Sequence, residues 1–242
     1  SIRGPRRVGF NPVSQKLRAV QGPALEEYFS TVESDTNWII EKLVCAARQR
    51  VDPQLGPSEF ETWTRFFIYQ QKRVPDFFKA VSDNEVTPER IDAIIGEYEA
   101  AVGPVPAEIR EQFKSPEFVE RFKQNSLVAA IRDPSPMVEQ ALRRKGLAIA
   151  VIIRDTQSFI LGSSPMARLG VRNGSSLDNP EVELWLPVAR DVAVAPYGSP
   201  GEIRIEGIGG QHVRRINQTI FAQSTIVASG SKQLVESLLV PR

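Results

Sequence analysis

Between Ala24 and Val51 the apolar residues Leu25, Phe29, Val32, Ile39, Ile40, Leu43, Val44 and Ala47 recur every ~3.6 positions, which predicts one long amphipathic helix. Cys45 lies one residue off the centre of that stripe and is expected to be a buried small hydrophobe. Asp52-Pro53 and Gly56-Pro57 break the helix, and Ser58 with Glu61 has the spacing of a capping box that opens the next. This second helix presents Phe60, Trp63, Phe66, Phe67 and Val74, is expected to be the most deeply buried segment, and is interrupted by Pro75. Thr87-Pro88 and Ser115-Pro116 each set a capping residue before a proline, predicting helices over roughly 88–102 and 116–131. Ser135-Pro136 starts a shorter helix that ends at Arg143-Arg144-Lys145.

At Gly146 the period changes. Leu147 to Ile153 is a continuous apolar run, too short for a typical helix and rich in Val and Ile, so it reads as a buried strand. Ser158 to Gly162, Val182 to Pro187, Asp191 to Ala195 and Glu202 to Glu206 are further strands between Gly, Pro, Asn and Ser clusters. Gly207-Ile208-Gly209-Gly210 leads into a helix through Val213, Ile216, Ile220 and Phe221, then a strand from Thr225 to Ser229 and a closing helix from Lys232. Helices first and neighbouring strands later predict an α+β fold, with a helical N-terminal part packed on a C-terminal mixed, mainly antiparallel sheet.

Charge adds little to this division. Up to Lys145 the chain has 21 basic and 21 acidic residues, and after it 9 and 8, so neither half carries a field that would recruit nucleic acid or an anionic membrane. The local exception is a basic arm over residues 1–20, with Arg3, Arg6, Arg7, Lys16 and Arg18 and no acid among them. Residues 21–145 form the helical region and 146–238 the strand-rich region packed with it; residues 239–242, Leu-Val-Pro-Arg, read as the stub left by thrombin cleavage of a tag. One Cys and one His exclude a disulfide and a Cys/His zinc site, and the unpaired thiol points to the cytoplasm. No apolar run approaches the length of a membrane span.

The most distinctive segment is Arg65 to Pro75. Its spacing puts Gln70 on the aromatic face with Phe66, and Arg73 on one face with Tyr69. Gln70 and Arg73 either tie the helix to neighbouring backbone or hold an anionic or carbonyl group in a cleft. A helix of the type aromatic-Ile-x-Gln-x-x-Arg-x-Pro-x-Phe, here Phe67 to Phe77, precedes the segment Phe159-Ile160-Leu161-Gly162-Ser163-Ser164-Pro165. A strand ending in Leu186-Pro187 and a helical Asn217 before a final strand complete a pattern that resembles the bacterial domain of unknown function 4238 family over about Trp38 to Leu238. The chain departs from that family in lacking its His/Tyr/Pro-bearing start, and in having Ser164 or Gly162 near where an acid often stands. The resemblance implies an architecture and no activity.

Two functional readings stay open. The first is a binding or regulatory module with a groove between helical and sheet layers, lined by Gln70, Arg73, Ser163, Ser164 and Asn217, for an unknown protein or a small anionic ligand. The second is an enzyme acting on a phosphate-containing or nucleic-acid substrate, perhaps in conflict with phage, with Arg73, Asp155, His212 and Arg215 as its residues. Gly207-x-Gly209-Gly210 could cradle a phosphate at a helix start but lacks the Lys and Ser/Thr of a P-loop. Asp155, Asp178, Glu181, Glu183, Asp191, Glu202 and Glu206 offer carboxylates without nuclease spacing, and Gly162 to Pro165 is not a nucleophile elbow. Neither reading implies a cofactor or a metal ion.

Overall fold

The computed structural model describes residues 12–72, 87–132, 136–170, 177, 179 and 182–239. In chain order the helices α1 (Pro12–Gln49), α2 (Pro57–Lys72), α3 (Pro88–Ala101), α4 (Ala107–Lys114), α5 (Pro116–Arg132) and α6 (Pro136–Arg143) come first. They are followed by β1 (Gly146–Ile152), β2 (Leu161–Gly162), β3 (Ala167–Leu169), β4 (Glu183–Pro187), β5 (Val192–Tyr197) and β6 (Ile203–Ile208). The chain closes with α7 (Gly210–Gln223), β7 (Val227–Ala228) and α8 (Lys232–Leu239). The fold is α+β, with most helices ahead of a mixed, mainly antiparallel five-stranded sheet. The described residues fall into two compact units: residues 12–25 with 87–132, which are helical, and residues 26–72 with 136–239, which hold the sheet.

In the sheet-bearing unit α1 buries Phe29, Val32, Thr36, Ile39, Leu43 and Ala46, a stripe that alternates steps of three and four, together with Ala47 beside it. Thr36 joins it because its hydroxyl donates to the Val32 carbonyl at 2.6 Å. Cys45 is exposed, contrary to expectation, because one residue off the stripe turns it by about 100° toward water. The helix also begins earlier than the periodicity predicts, reaching back through Pro23 to Pro12. Its end is a Schellman turn: Arg50 takes a left-handed φ of 56°, and Val51 N–H donates to Ala46 C=O at 3.0 Å.

The cap of α2 is shifted from the predicted one. Gly56, not Ser58, precedes the first helical residue, and its N–H donates to the Glu59 carboxylate, which also pairs with Lys42 at 2.7 Å. Pro57 fixes the first helical position and so moves the box two residues upstream of Ser58 and Glu61. Lys42 first, then the Gly56 N–H, hold the Glu59 carboxyl below its usual range. Trp63, Phe66 and Phe67 are buried as expected, Phe60 is only half-buried, and Ile68 and Tyr69 are buried as well; β5 surpasses them with Val192, Ala193 and Val194 wholly covered. Val74 and Pro75 lie outside the described residues.

The sheet order is β3-β4-β5-β1-β6, with β1 antiparallel to β5 and parallel to β6. The continuous apolar run of β1 is a consequence of its central place, since both faces are covered. One face carries small residues, Ala148 and Ala150 beside Ala195 and Ala193, which let Val213, Ile216 and Ile220 of α7 approach. The opposite face carries Leu147 against Phe60, Trp63 and Phe67 of α2. The strand predicted over Ser158 to Gly162 is confined to Leu161–Gly162, which pairs with β7 in a separate two-stranded sheet. The three residues of β3 were not predicted.

Arg48 joins the end of α1 to the turn before β5, donating to both Asp191 oxygens at 2.9 and 2.7 Å. The hydrogen bonds from Arg48 lower the Asp191 carboxyl below the usual carboxylate range, against a smaller opposing effect of burial. A carboxyl lowered on folding adds stability above its unfolded pKa and loses it as pH falls through its folded one. Because Arg48 is half exposed, the pair is worth about 1 kcal/mol. Asp191→Asn is therefore expected to lower the urea midpoint at neutral pH, and the gap to the unaltered protein should close in acid. Equal midpoints at pH 7 would remove the pair from the stability account.

Candidate functional site

Three of the sequence-predicted binding residues are brought together in the sheet-bearing unit, by one segment. Asn217, on the buried side of α7, accepts from Ile160 N–H at 3.1 Å through Oδ1 and donates from Nδ2 to the Ser158 carbonyl at 2.9 Å. Ser163 Oγ accepts the N–H groups of Thr225 and Ile226 at 2.9 and 3.2 Å. The Ser164 N–H donates to Ser224 Oγ at 3.1 Å, and the Ser164 carbonyl accepts from Gln223 Nε2 at 3.0 Å. These polar groups therefore stitch residues 158–166 to α7 and to the chain before β7. Gln70, half-buried near the end of α2, is not among the groups they bond, and Arg73 lies outside the described residues.

The residues of the enzyme reading take separate surroundings. Asp155 is exposed in the turn after β1, and Arg215 is exposed on α7. His212, on the first turn of α7, stands edge-on to Trp185 with ring centroids 5.6 Å apart. Its Nε2 is 3.7 Å from Glu183 Oε2, which already accepts the Trp185 indole N–H at 2.7 Å. Gly209 caps α7 without a side-chain bond. Asp178 and Glu181 lie outside the described residues. Among the described residues no three of His, Cys, Asp and Glu are grouped to hold a metal ion, and no helix is long and apolar enough to cross a membrane.

A cavity that sequence reasoning missed lies in the helical unit. The Thr87 side chain caps α3 by accepting from Arg90 N–H at 3.3 Å, and Ile91 and Ile95, one turn apart, are buried as the cavity floor. Ile94 and Tyr98, on the adjoining strip of the same helix, are exposed at its edge. After α3 the chain turns at Gly103, whose φ is 135°, and Pro104, Val105 and Pro106 form one wall. Ile109 and Phe113 of α4 and Phe118 and Phe122 of α5 form the others. Phe113 and Phe118 lie 4.7 Å apart between centroids, and Phe118 stacks toward Phe122 at 6.3 Å. The groove has a volume of about 490 Å³, and no charged residue is among those lining it.

Ion pairs hold the helices around this groove. Glu99 of α3 accepts Val105 N–H at 3.0 Å and pairs with Arg110 of α4 at 2.5 Å. Arg110 first, then the Val105 N–H, keep the Glu99 carboxyl below its usual range. Lys114 pairs with Asp92 of α3 at 3.0 Å. At the α4–α5 joint the Ser115 hydroxyl donates to Gln112 C=O at 2.8 Å and accepts from Phe118 N–H at 3.3 Å. The sequence did carry a signal: Ile91, Ile94, Ile95 and Tyr98 occupy positions i, i+3, i+4 and i+7, a wider apolar face than a small helical layer needs.

Compared with protein-family models, with curated proteins and with solved structures, the chain finds no match.

Proposed function

We propose that this protein is a binding module whose ligand site is the apolar groove between α3, α4 and α5. The observation that supports the reading is the groove itself: about 490 Å³ with a buried isoleucine floor and aromatic walls. Ligand sites for small molecules have roughly 300–1,000 Å³ and mainly apolar, aromatic linings. The exposure of Ile94, Tyr98 and Ile109 at its edge fits a surface that a ligand covers, since contiguous exposed apolar area marks interaction sites. The occupant is a small apolar molecule, because the lining offers no charge to orient a peptide or a nucleotide.

The test is fluorescence titration of the whole protein with 1-aminoanthracene, an uncharged apolar probe. Ile109→Glu, which sets a carboxylate at the groove edge, is expected to weaken the probe at least about tenfold, since burying an unpaired charge is costly. Met137→Glu, at an exposed position on α6 of the other unit, should leave the titration unchanged. Equal binding by the Ile109→Glu variant would overturn the assignment.

A further inference from the structure

We infer that β6 is the contact surface for a second copy of this chain, and that two copies pair antiparallel along it about Ile205 to make one continuous sheet. The sheet order leaves β6, with six residues, at one end and β3, with three, at the other. Among the described residues β1 is the one strand that β6 pairs with, so its outer edge is a row of backbone groups open to pairing.

The phase of the existing ladder fixes which groups face outward. Leu147 N–H donates to Glu202 C=O at 2.8 Å and Ile153 N–H to Ile208 C=O at 3.4 Å, so Glu202, Arg204, Glu206 and Ile208 turn their peptide groups toward β1. Those of Ile203, Ile205 and Gly207 point the other way. A second β6 laid antiparallel, with Ile205 opposite Ile205, meets these groups with matching ones: Ile205 bonds Ile205, and Ile203 bonds Gly207 on each side of the axis. Arg204 and Glu206 then fall at the positions between hydrogen-bonded pairs, where facing side chains stand closest.

In that register Arg204 of each copy faces Glu206 of the other. Within one strand the two already pair, Arg204 Nη2 to Glu206 Oε2 at 3.0 Å, and Arg204 also donates to the Tyr197 hydroxyl at 3.0 Å, which holds both charges on the face of the sheet that carries Ala148 and Ala150. Sliding one strand by two residues, the smallest step that keeps the bonding phase, sets Arg204 against Arg204 in one direction and Glu206 against Glu206 in the other. Like charges directly opposite are destabilising, so charge selects the one register. On the other face Ile203 lies opposite Gly207 of the second copy. A side chain at Gly207 would meet Ile153, which is 60% exposed, and the end of the long, exposed Arg50 side chain. The incoming isoleucine covers Ile153, and Arg50 can swing aside. A two-fold axis at Ile205 makes the two halves of the contact identical, as a closed dimer requires.

Sedimentation velocity of the full chain over a concentration series tests this, with circular dichroism to show that each variant is folded. The unaltered protein is expected to dimerise. Arg204→Glu and Glu206→Arg each gather like charges across the axis and should weaken the dimer at least about tenfold, while the double variant, which exchanges the two charges, should restore it. Mixed in equal amounts, the two single variants should associate with each other, because every cross-strand pair is then opposite in sign. A role confined to the ion pair within one strand predicts no such association. Salt, which screens exposed charges, should weaken the unaltered dimer too, a check that needs no variant. A chain that stays monomeric up to about 1 mM would overturn the inference. So would a dimer that neither salt nor the single variants weaken, since it is held elsewhere, or a mixture of folded single variants that does not associate.

Discussion

Asn217→Ala is expected to lower the melting temperature of the sheet-bearing unit by roughly 10 °C, the loss anticipated for about 3–4 kcal/mol in a chain of this size. The side chain is 1% exposed and satisfies two backbone groups from one segment, Ile160 N–H and Ser158 C=O. Alanine removes both partners and leaves both groups short of water, which is costlier than the net worth of either bond. Asn217→Asp makes a sharper test. The acid keeps an acceptor for Ile160 N–H but turns a second oxygen toward the Ser158 carbonyl, so the variant should be unstable at neutral pH. Lowering the pH to protonate that carboxyl gives it an O–H to donate and should restore part of the loss. Melting followed by circular dichroism across pH checks both, and a flat profile for Asn217→Asp would mean that Ser158 has another donor.

The second large effect concerns two glycines that respond to alanine in opposite directions. A Cβ on Gly146, the first residue of β1, would collide with the Glu202 carbonyl oxygen and come within 2.5 Å of the Ser199 carbonyl oxygen. Both are backbone atoms, so the parallel pairing of Leu147 with Ile203 must shift to make room. Gly146→Ala is expected to cost about 3 kcal/mol or more, in the range of overpacked cores. On Gly96, within α3, a Cβ would meet nothing within 4 Å. Gly96→Ala should stabilise the helical unit by about 0.5–1 kcal/mol, the helix-propensity difference. Urea unfolding of the two variants measures the contrast; similar midpoints would contradict the packing described around Gly146.

These residues show how far the sequence could be read. The change of period at Gly146 announced β1, because a strand buried on both faces must be apolar throughout and needs a stop signal before it. The thin spot was α4, which buries no residue; Ile109 and Phe113, four apart, are its apolar pair, and one such pair in eight residues is too short a run to establish a period. The wide apolar face of α3 was legible, but a sequence does not show that Ile94, Tyr98 and Ile109 stay exposed at a groove edge and are not packed into a core. Ser163, Ser164 and Asn217 were legible as polar groups that must have partners. Sequence cannot distinguish a ligand from neighbouring backbone as that partner, and the contacts supply backbone and hydroxyl groups between residues 158 and 226. The cap of α2 was misplaced by two residues because Pro57 overrides the side-chain spacing.

The central place of β1 also bears on the order in which the protein is made. Ile149 takes Val194 on one side and Ile205 on the other, and both partners follow it in the chain. During synthesis the apolar segment from Leu147 to Ile153 therefore leaves the ribosome with both edges unpaired and one face still lacking the α7 residues that cover it. Closing the sheet must wait until Ile208 and then α7 have emerged, and pairings this far apart form slowly once they can. The interval is when the nascent chain is most exposed to aggregation or to capture by a chaperone.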